Sequence, residues 1–206
     1  MSATSFLKPS HQELLMLLGV ARDAIHSIFN SGRMQPPELS QYDDHLIRRG
    51  ACFVTLEVNG VLQGCIGSVA PREPLVLDVY EKAYASALQD RRFMPLTEDL
   101  LEGLTIEVSV LNPPEIVRVE TEQALLEHLQ SYPENERPGL IMAEFLSGCP
   151  RQAVFLPQVW SHLPEPKDFV RQLKFKAGWD EDYWSSGLVV KIFTVSSVKA
   201  PYQEGV

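Results

Sequence analysis

The residue best suited to covalent chemistry is Cys65, which stands between two glycines in the sequence Gly64-Cys65-Ile66-Gly67. A glycine inside a strand often marks the close approach of a ligand or a second backbone. Cys65 could act as a nucleophile or a redox thiol if a cation, a helix N-terminus or a histidine stabilises its thiolate. Gly64, Ile66 and Gly67 would then border the ligand. The alternative is a small buried apolar residue, a common role of free cysteine.

Two polar side chains on a predicted strand are further candidates. Glu107 and Ser109 alternate with apolar residues along Leu104 to Leu111, so both face away from the apolar row. A desolvated Glu107 could act as a general acid or base, or bind a cationic group. The alternative for Glu107 is a solvated or ion-paired residue on an open sheet face.

Arg92 and Gln158 complete the set of candidate site residues. Arg92 could bind a carboxylate or phosphate, or stabilise a Cys65 thiolate if the fold brings the two together. The alternative is an ion pair with Asp90 or Glu81. Gln158 follows a predicted strand and could donate a hydrogen bond to a ligand, or it could simply complete a turn.

A β-hairpin is predicted to position Cys65. Two β-rich runs, Cys52 to Val58 and Val61 to Val69, flank Asn59-Gly60, which is the strongest short-range hairpin signal. The turn predicts a register that pairs Val54 with Cys65. Cys52 and Cys65 would then be diagonal neighbours on one face, too far apart for an unstrained disulfide.

Helices and strands interleave along the rest of the chain. A capping box at Ser10 to Glu13 begins a first helix. Further helices are predicted over Pro74–Leu88, Thr121–Leu129 and Pro166–Ala177, and strands over Leu104–Leu111, Leu140–Phe145, Ala153–Leu156 and Leu188–Val198. Because the order lacks a strict βαβ rhythm, we expect an α/β protein with a mixed α+β sheet and flanking helices.

Bulk properties narrow the function classes. The net charge of −9 argues against a broad nucleic-acid-binding surface. No apolar run is long enough to span a membrane, and a cytoplasmic location is expected. The three widely spaced cysteines, Cys52, Cys65 and Cys149, suit reduced thiols. No metal site is predicted from the spacing of the cysteines and histidines, and no cofactor is predicted because nucleotide-binding motifs are absent.

Three sequence segments, taken in order, carry a resemblance to a known protein family. They are Arg49-Gly50 with Phe53-Val54-Thr55-Leu56 and Leu62-Gln63-Gly64-Cys65-Ile66-Gly67; Asp90-Arg91-Arg92-Phe93 with Pro95-Leu96 and Ile106-Glu107-Val108-Ser109-Val110-Leu111; and Leu156-Pro157-Gln158-Val159 with Lys176-Ala177-Gly178. In order and spacing the chain resembles the AMMECR domain family, also called protein A of the AmmeMemoRadiSam system. The resemblance spans roughly residues 10 to 200 and implies one domain over residues 1–206, with a larger and a smaller lobe.

The resemblance also implies partners and a functional centre. The implied partners are a Memo-like protein and a radical S-adenosylmethionine protein. The family's proposed centre is a Leu-Arg-Gly-Cys-Ile-Gly signature, which Leu62 and residues 64–67 match. Gln63 stands where the family has arginine, and Arg91 replaces a proline. Glu136-Arg137-Pro138-Gly139 replaces a Gly-x-His-Gly segment, so no role of that histidine transfers.

Two functions remain open at this point. One is an enzyme or enzyme-accessory protein in which Cys65, helped by Arg92 and Glu107, acts on a small molecule or a peptide. The other is a non-catalytic binding module for the Memo-like and radical enzyme partners, in which Cys65 is merely small.

Overall fold

The computed structural model describes residues 8–146 and 149–203, and the chain divides into two compact units. The larger unit runs to Asn112 and takes up the chain again from Ser196, and the smaller unit is Pro113–Val195. Each unit has its own four-stranded sheet and its own hydrophobic core. The predicted mixed α/β class is confirmed.

The larger unit packs two helices against one sheet. Its elements are α1 (His11–Asn30), β1 (Cys52–Val58), β2 (Val61–Gly67), α2 (Leu75–Leu88), β3 (Leu104–Leu111) and β8 (Val195–Pro201). The strand order is β2-β1-β3-β8, so β2 is an edge strand. Alternate residues of β1 and β3, such as Val54 and Val108, are fully buried in one core with the apolar sides of α1 and α2. The other side chains of these strands therefore face away from the helices.

The smaller unit has a second sheet and two helices. Its elements are β4 (Glu115–Val117), α3 (Glu122–Gln130), β5 (Gly139–Leu146), β6 (Cys149–Phe155), α4 (Pro166–Ala177) and β7 (Leu188–Phe193). The strand order is β4-β7-β5-β6. The aromatic rings of Trp160 and Phe169 stack with their centroids 3.7 Å apart inside this core. The side chain of Cys149 lies outside the described residues.

Local sequence signals set several element ends. The predicted capping box is confirmed, because the Glu13 N–H donates to Ser10 Oγ at 3.2 Å and the Ser10 N–H donates to Glu13 Oε2 at 2.7 Å. Helix α4 ends at Gly178, whose φ of 76° lies in the left-handed region that glycine reaches without strain. The prediction of one strand over Leu188–Val198 was wrong. The chain there leaves the second sheet after Phe193 and enters the first sheet at Val195, so two strands form.

Candidate functional site

The hairpin that carries Cys65 has a different register from the predicted one. The chain turns at Asn59-Gly60 as expected, but Thr55, not Val54, pairs with Cys65. Leu56 pairs with Gly64 while Glu57 pairs with Leu62, which leaves Gln63 as the extra residue of a β-bulge. One extra residue moves every following side chain to the other face.

The bulge places Cys52 and Cys65 on opposite faces. Cys52 lies on the helix-facing side and is fully buried, whereas Cys65 is half-buried beside Thr55. The prediction that the two cysteines share a face was therefore wrong. Without a bulge, the turn at Asn59-Gly60 would pair Val54 with Cys65, and the extra residue Gln63 shifts this pairing by one.

Thr55 joins two predicted site residues in one row across the sheet. It pairs with Cys65 in β2 and with Glu107 in β3, and Phe53 in the neighbouring row pairs with Ser109. We call Cys65, Thr55, Glu107 and Ser109 the polar face of the first sheet. Two strand spacings separate the Cα atoms of Cys65 and Glu107 by about 10 Å. Glu107 thus shares the face of Cys65, with Thr55 between them.

Thr55 is the group beside the thiol that sequence reasoning missed. Its hydroxyl donates to Cys65 Sγ at 3.3 Å. A donor to sulfur favours the thiolate over the thiol, since the charged form accepts the stronger hydrogen bond. No local sequence signal marks this neighbour, because the bulge at Gln63 sets the pairing.

Asp90 and Arg92 hold the backbone of Cys65 at the edge of the sheet. The Cys65 N–H donates to Asp90 Oδ2 at 2.9 Å, and Arg92 Nη2 donates to the Cys65 carbonyl at 3.0 Å. Arg92 also binds Asp90 through Nε at 2.9 Å and Nη2 at 2.6 Å. The two side chains thus form the Asp90–Arg92 clamp. Arg92 therefore forms the ion pair with Asp90 and also contacts Cys65, at its backbone carbonyl.

The clamp strongly favours the ionised form of Asp90. The Arg92 guanidinium and, to a smaller extent, the Cys65 N–H together lower the pKa of Asp90 to about 2, against the opposing effect of burial. In return, Asp90 raises the pKa of Arg92. Because the two charges offset each other, the clamp positions Cys65 more than it supplies net positive charge.

The Asp90 carboxylate gives a prediction for acid stability. The pKa of Asp90 in the folded protein lies below its value of about 3.9 in the unfolded chain. The contribution of Asp90 to the free energy of unfolding is therefore fully present above about pH 3.9 and is lost as the pH falls towards 2. We expect this contribution to be about 1 kcal/mol, because Arg92 is more than half exposed and solvent screens the ion pair.

Asp90→Asn tests this contribution, because it keeps an oxygen for the Cys65 N–H and removes the charge. Urea unfolding of both proteins at about pH 5 and about pH 2.5, followed by circular dichroism, should show a smaller loss of stability on acidification in the variant. Equal losses would show that Asp90 does not contribute.

The two glycines of the signature serve close packing. A Cβ added to Gly64 would lie 2.2 Å from the backbone oxygen of Ser86 in α2, and one added to Gly67 would lie 2.3 Å from the Phe53 ring. Ser86 also joins the two strands, since its Oγ accepts from the Ile66 N–H at 2.9 Å and donates to the Val54 carbonyl at 2.8 Å. The close approach expected here is made by the protein itself. Ligand binding by Gly64, Ile66 and Gly67 stays a prediction.

Cys52 has a different environment from Cys65. Asp78 Oδ2 accepts from the Cys52 N–H at 3.1 Å and from its thiol at 3.3 Å. Burial raises the pKa of the Cys52 thiol well above its usual value, and the Asp78 carboxylate raises it further. Cys52 is therefore a protonated core residue and a reference for Cys65.

Gln158 belongs to the smaller unit. It lines a cavity of about 500 Å³ together with Arg137 and Trp160. Within residues 8–146 and 149–203, no helix has the length and apolar character of a membrane span. In the same described ranges, no group of three or more histidine, cysteine or acidic side chains is placed to hold a metal ion.

Comparison with known proteins identifies the family. The family model AMMECR1 matches residues 18–198. A Thermotoga maritima protein is 30% identical over 85% of this chain and 92% of its own length, and one from Methanosarcina acetivorans is 32% identical over 90% of each. The crystal structure of an uncharacterised protein from Pyrococcus horikoshii superposes with a TM-score of 0.80 at 29% identity, covering 94% of both chains. The chain therefore belongs to the AMMECR1 family.

Proposed function

We propose that this chain is a cytoplasmic protein that acts on a small molecule or a peptide through the Cys65 thiol, as an enzyme or as an enzyme-accessory protein. The observation that carries the proposal is the hydrogen bond from the Thr55 hydroxyl to Cys65 Sγ on the polar face. Such a donor stabilises negative charge on the sulfur, which a thiol-based reaction requires. Cys65 is the nucleophile or redox thiol in this proposal.

The neighbours of Cys65 have separate roles in the proposed site. Arg92, bound to the Cys65 carbonyl, positions Cys65 and, although Asp90 offsets most of its charge, donates to an anion that develops beside the thiol. Glu107 lies about two strand spacings from the thiol, so it serves as an acid, a base or a binding group for a distant part of the ligand. Ser109 lies within hydrogen-bond distance of Glu107, with its Oγ 3.4 Å from the carboxylate.

The proposed partners are a Memo-like protein and a radical S-adenosylmethionine protein. Membership of the AMMECR1 family is the support for this part of the proposal. In the accessory form of the function, this chain would present a bound molecule to one of those enzymes.

Thr55→Val tests the role of the hydroxyl next to the thiol. We expect alkylation of Cys65 by iodoacetamide at neutral pH to slow about tenfold, because one hydrogen bond to an anionic sulfur is lost. The rate is measured by mass spectrometry of the peptide that contains Cys65, and Cys65→Ser gives the background. Thr105→Val is the matched control, since Thr105 pairs with Glu57 in the same sheet. An unchanged rate in Thr55→Val would contradict the proposal.

A non-catalytic binding module is the second candidate function. Two observations favour it: packing accounts for both signature glycines, and Asp90 offsets the charge of Arg92. A module should still co-purify with the Memo-like or radical enzyme partner after Cys65→Ala, whereas a thiol-dependent complex should not. Failure of the unmodified protein to co-purify with either partner would count against the module.

A further inference from the structure

The cavity around Gln158 is a site that the proposed function of Cys65 does not use. Its wall includes Arg137, Pro157, Gln158, Trp160, Ser161 and Pro164, all in the smaller unit. Its volume of about 500 Å³ lies within the range of pockets that hold small molecules. Pro157 begins the short helical turn Pro157–Ser161 that brings Gln158 and Ser161 to the cavity.

Trp160 forms a rigid part of this wall. One ring face stacks on Phe169, and the indole N–H donates to the Pro138 carbonyl at 2.9 Å. The guanidinium carbon of Arg137 lies 5.0 Å from the centre of a Trp160 ring. A cation over tryptophan is favourable, so Trp160 helps to fix the orientation of the guanidinium.

Arg137 retains hydrogen-bonding capacity in this fixed position. Its Nη1 donates to the Pro164 carbonyl, whereas its Nε is buried and has no hydrogen-bond partner in the described part of the chain. A buried donor without a partner is costly, and in proteins it often marks a position for water, an ion or a ligand. The planar guanidinium presents pairs of N–H groups that match an oxyanion.

We propose that the cavity binds a small organic carboxylate, with the carboxylate on Arg137 and the body of the molecule against Pro157 and Gln158. Glu134 lines the same cavity, and its negative charge opposes a dianion more than a monoanion. A carboxylate therefore fits better than a phosphate. This site is independent of Cys65, and neither proposal depends on the other.

Titration with sodium benzoate at constant ionic strength tests the site. The readout is the NMR signal of the Trp160 indole N–H, which Trp160→Phe identifies. We expect a saturable shift in the unmodified protein and at least about tenfold weaker binding in Arg137→Lys, which keeps the charge and loses the planar fork. Arg151→Lys is the matched control, because Arg151 binds the Gly178 carbonyl outside the cavity wall.

A second variant and a second ligand complete the titration. Gln158→Ala should weaken benzoate binding while leaving the contact between Arg137 and Trp160 intact, so it serves if Arg137→Lys does not fold. Inorganic phosphate should bind more weakly than benzoate. No saturable shift, equal affinity in Arg137→Lys and Arg151→Lys, or tighter binding of phosphate would each overturn the proposal.

Discussion

Replacing Gly64 with alanine is expected to lower the free energy of unfolding of the larger unit by about 3 kcal/mol. The added Cβ would stand 2.2 Å from the Ser86 backbone oxygen, so helix α2 or strand β2 must shift. A shift would strain the bonds through which Ser86 joins Ile66 to Val54. The cost arises from backbone contact, which a change of rotamer cannot relieve.

Cys52 supplies a local readout for the Gly64 variant. Because the Cys52 side chain is fully buried in the core of the larger unit, its alkylation reports opening of that unit. Alkylation should become about a hundredfold faster in Gly64→Ala.

Gly19→Ala is the matched control, since a Cβ at Gly19 in α1 meets nothing within 4 Å. It should stabilise the unit by up to about 1 kcal/mol, because alanine favours helix. Equal effects of the two substitutions would contradict the packing explanation.

Replacing Glu122 with methionine is expected to destabilise the smaller unit by about 3 kcal/mol. Lys174 in α4 is fully buried, and its Nζ binds the Glu122 carboxylate and the Glu181 carbonyl. Removing Glu122 leaves a buried ammonium without its counter-charge. Lys174→Met should cost less than about 1 kcal/mol, since Glu122 is partly exposed and can be hydrated once the lysine is gone.

Tryptophan fluorescence during urea unfolding measures the stability of the smaller unit in each of these variants. Trp160, Trp179 and Trp184 account for all the tryptophan of the chain, and all three belong to the smaller unit. The double variant should be close in stability to Lys174→Met, because the buried charge is then absent. Equal losses in the two single variants would show that burial of the charge is not the dominant cost.

Local signals predicted the elements of the fold well. The Ser10 capping box and the turn at Asn59-Gly60 each act through a few neighbouring residues, and the structure confirms both. The break between β7 and β8 was missed because only Thr194 lies between the two strands, with no glycine or proline to mark an interruption. Their separation depends on which sheet each joins.

The register of the hairpin could not be predicted from the turn. The bulge at Gln63 accompanies packing of α2 against Gly64 and insertion of the Ser86 hydroxyl between the strands. Ser86 lies far along the chain, so the turn sequence carries no information about it. For the same reason Thr55 was missed as the neighbour of the thiol.

The candidate site was predicted in part. Arg92 was a candidate to stabilise a Cys65 thiolate if the fold brought the two together, and its guanidinium binds the backbone carbonyl of Cys65. The alternation along β3 predicts that Glu107 and Ser109 share one face of the strand, and the structure places both on the face of Cys65. Gln158 lies in the other unit, which no local pattern around Pro157 could reveal.

The most direct test of a reactive Cys65 is its alkylation rate in the folded protein from about pH 6 to about pH 10, measured beside that of Cys52. The hydrogen bond from the Thr55 hydroxyl predicts a rate midpoint below about 8.5, the value for an ordinary cysteine, and alkylation at neutral pH at least about a hundredfold faster than at Cys52. A midpoint at or above about 8.5, with Cys65 as resistant as Cys52, would contradict a thiol-based function.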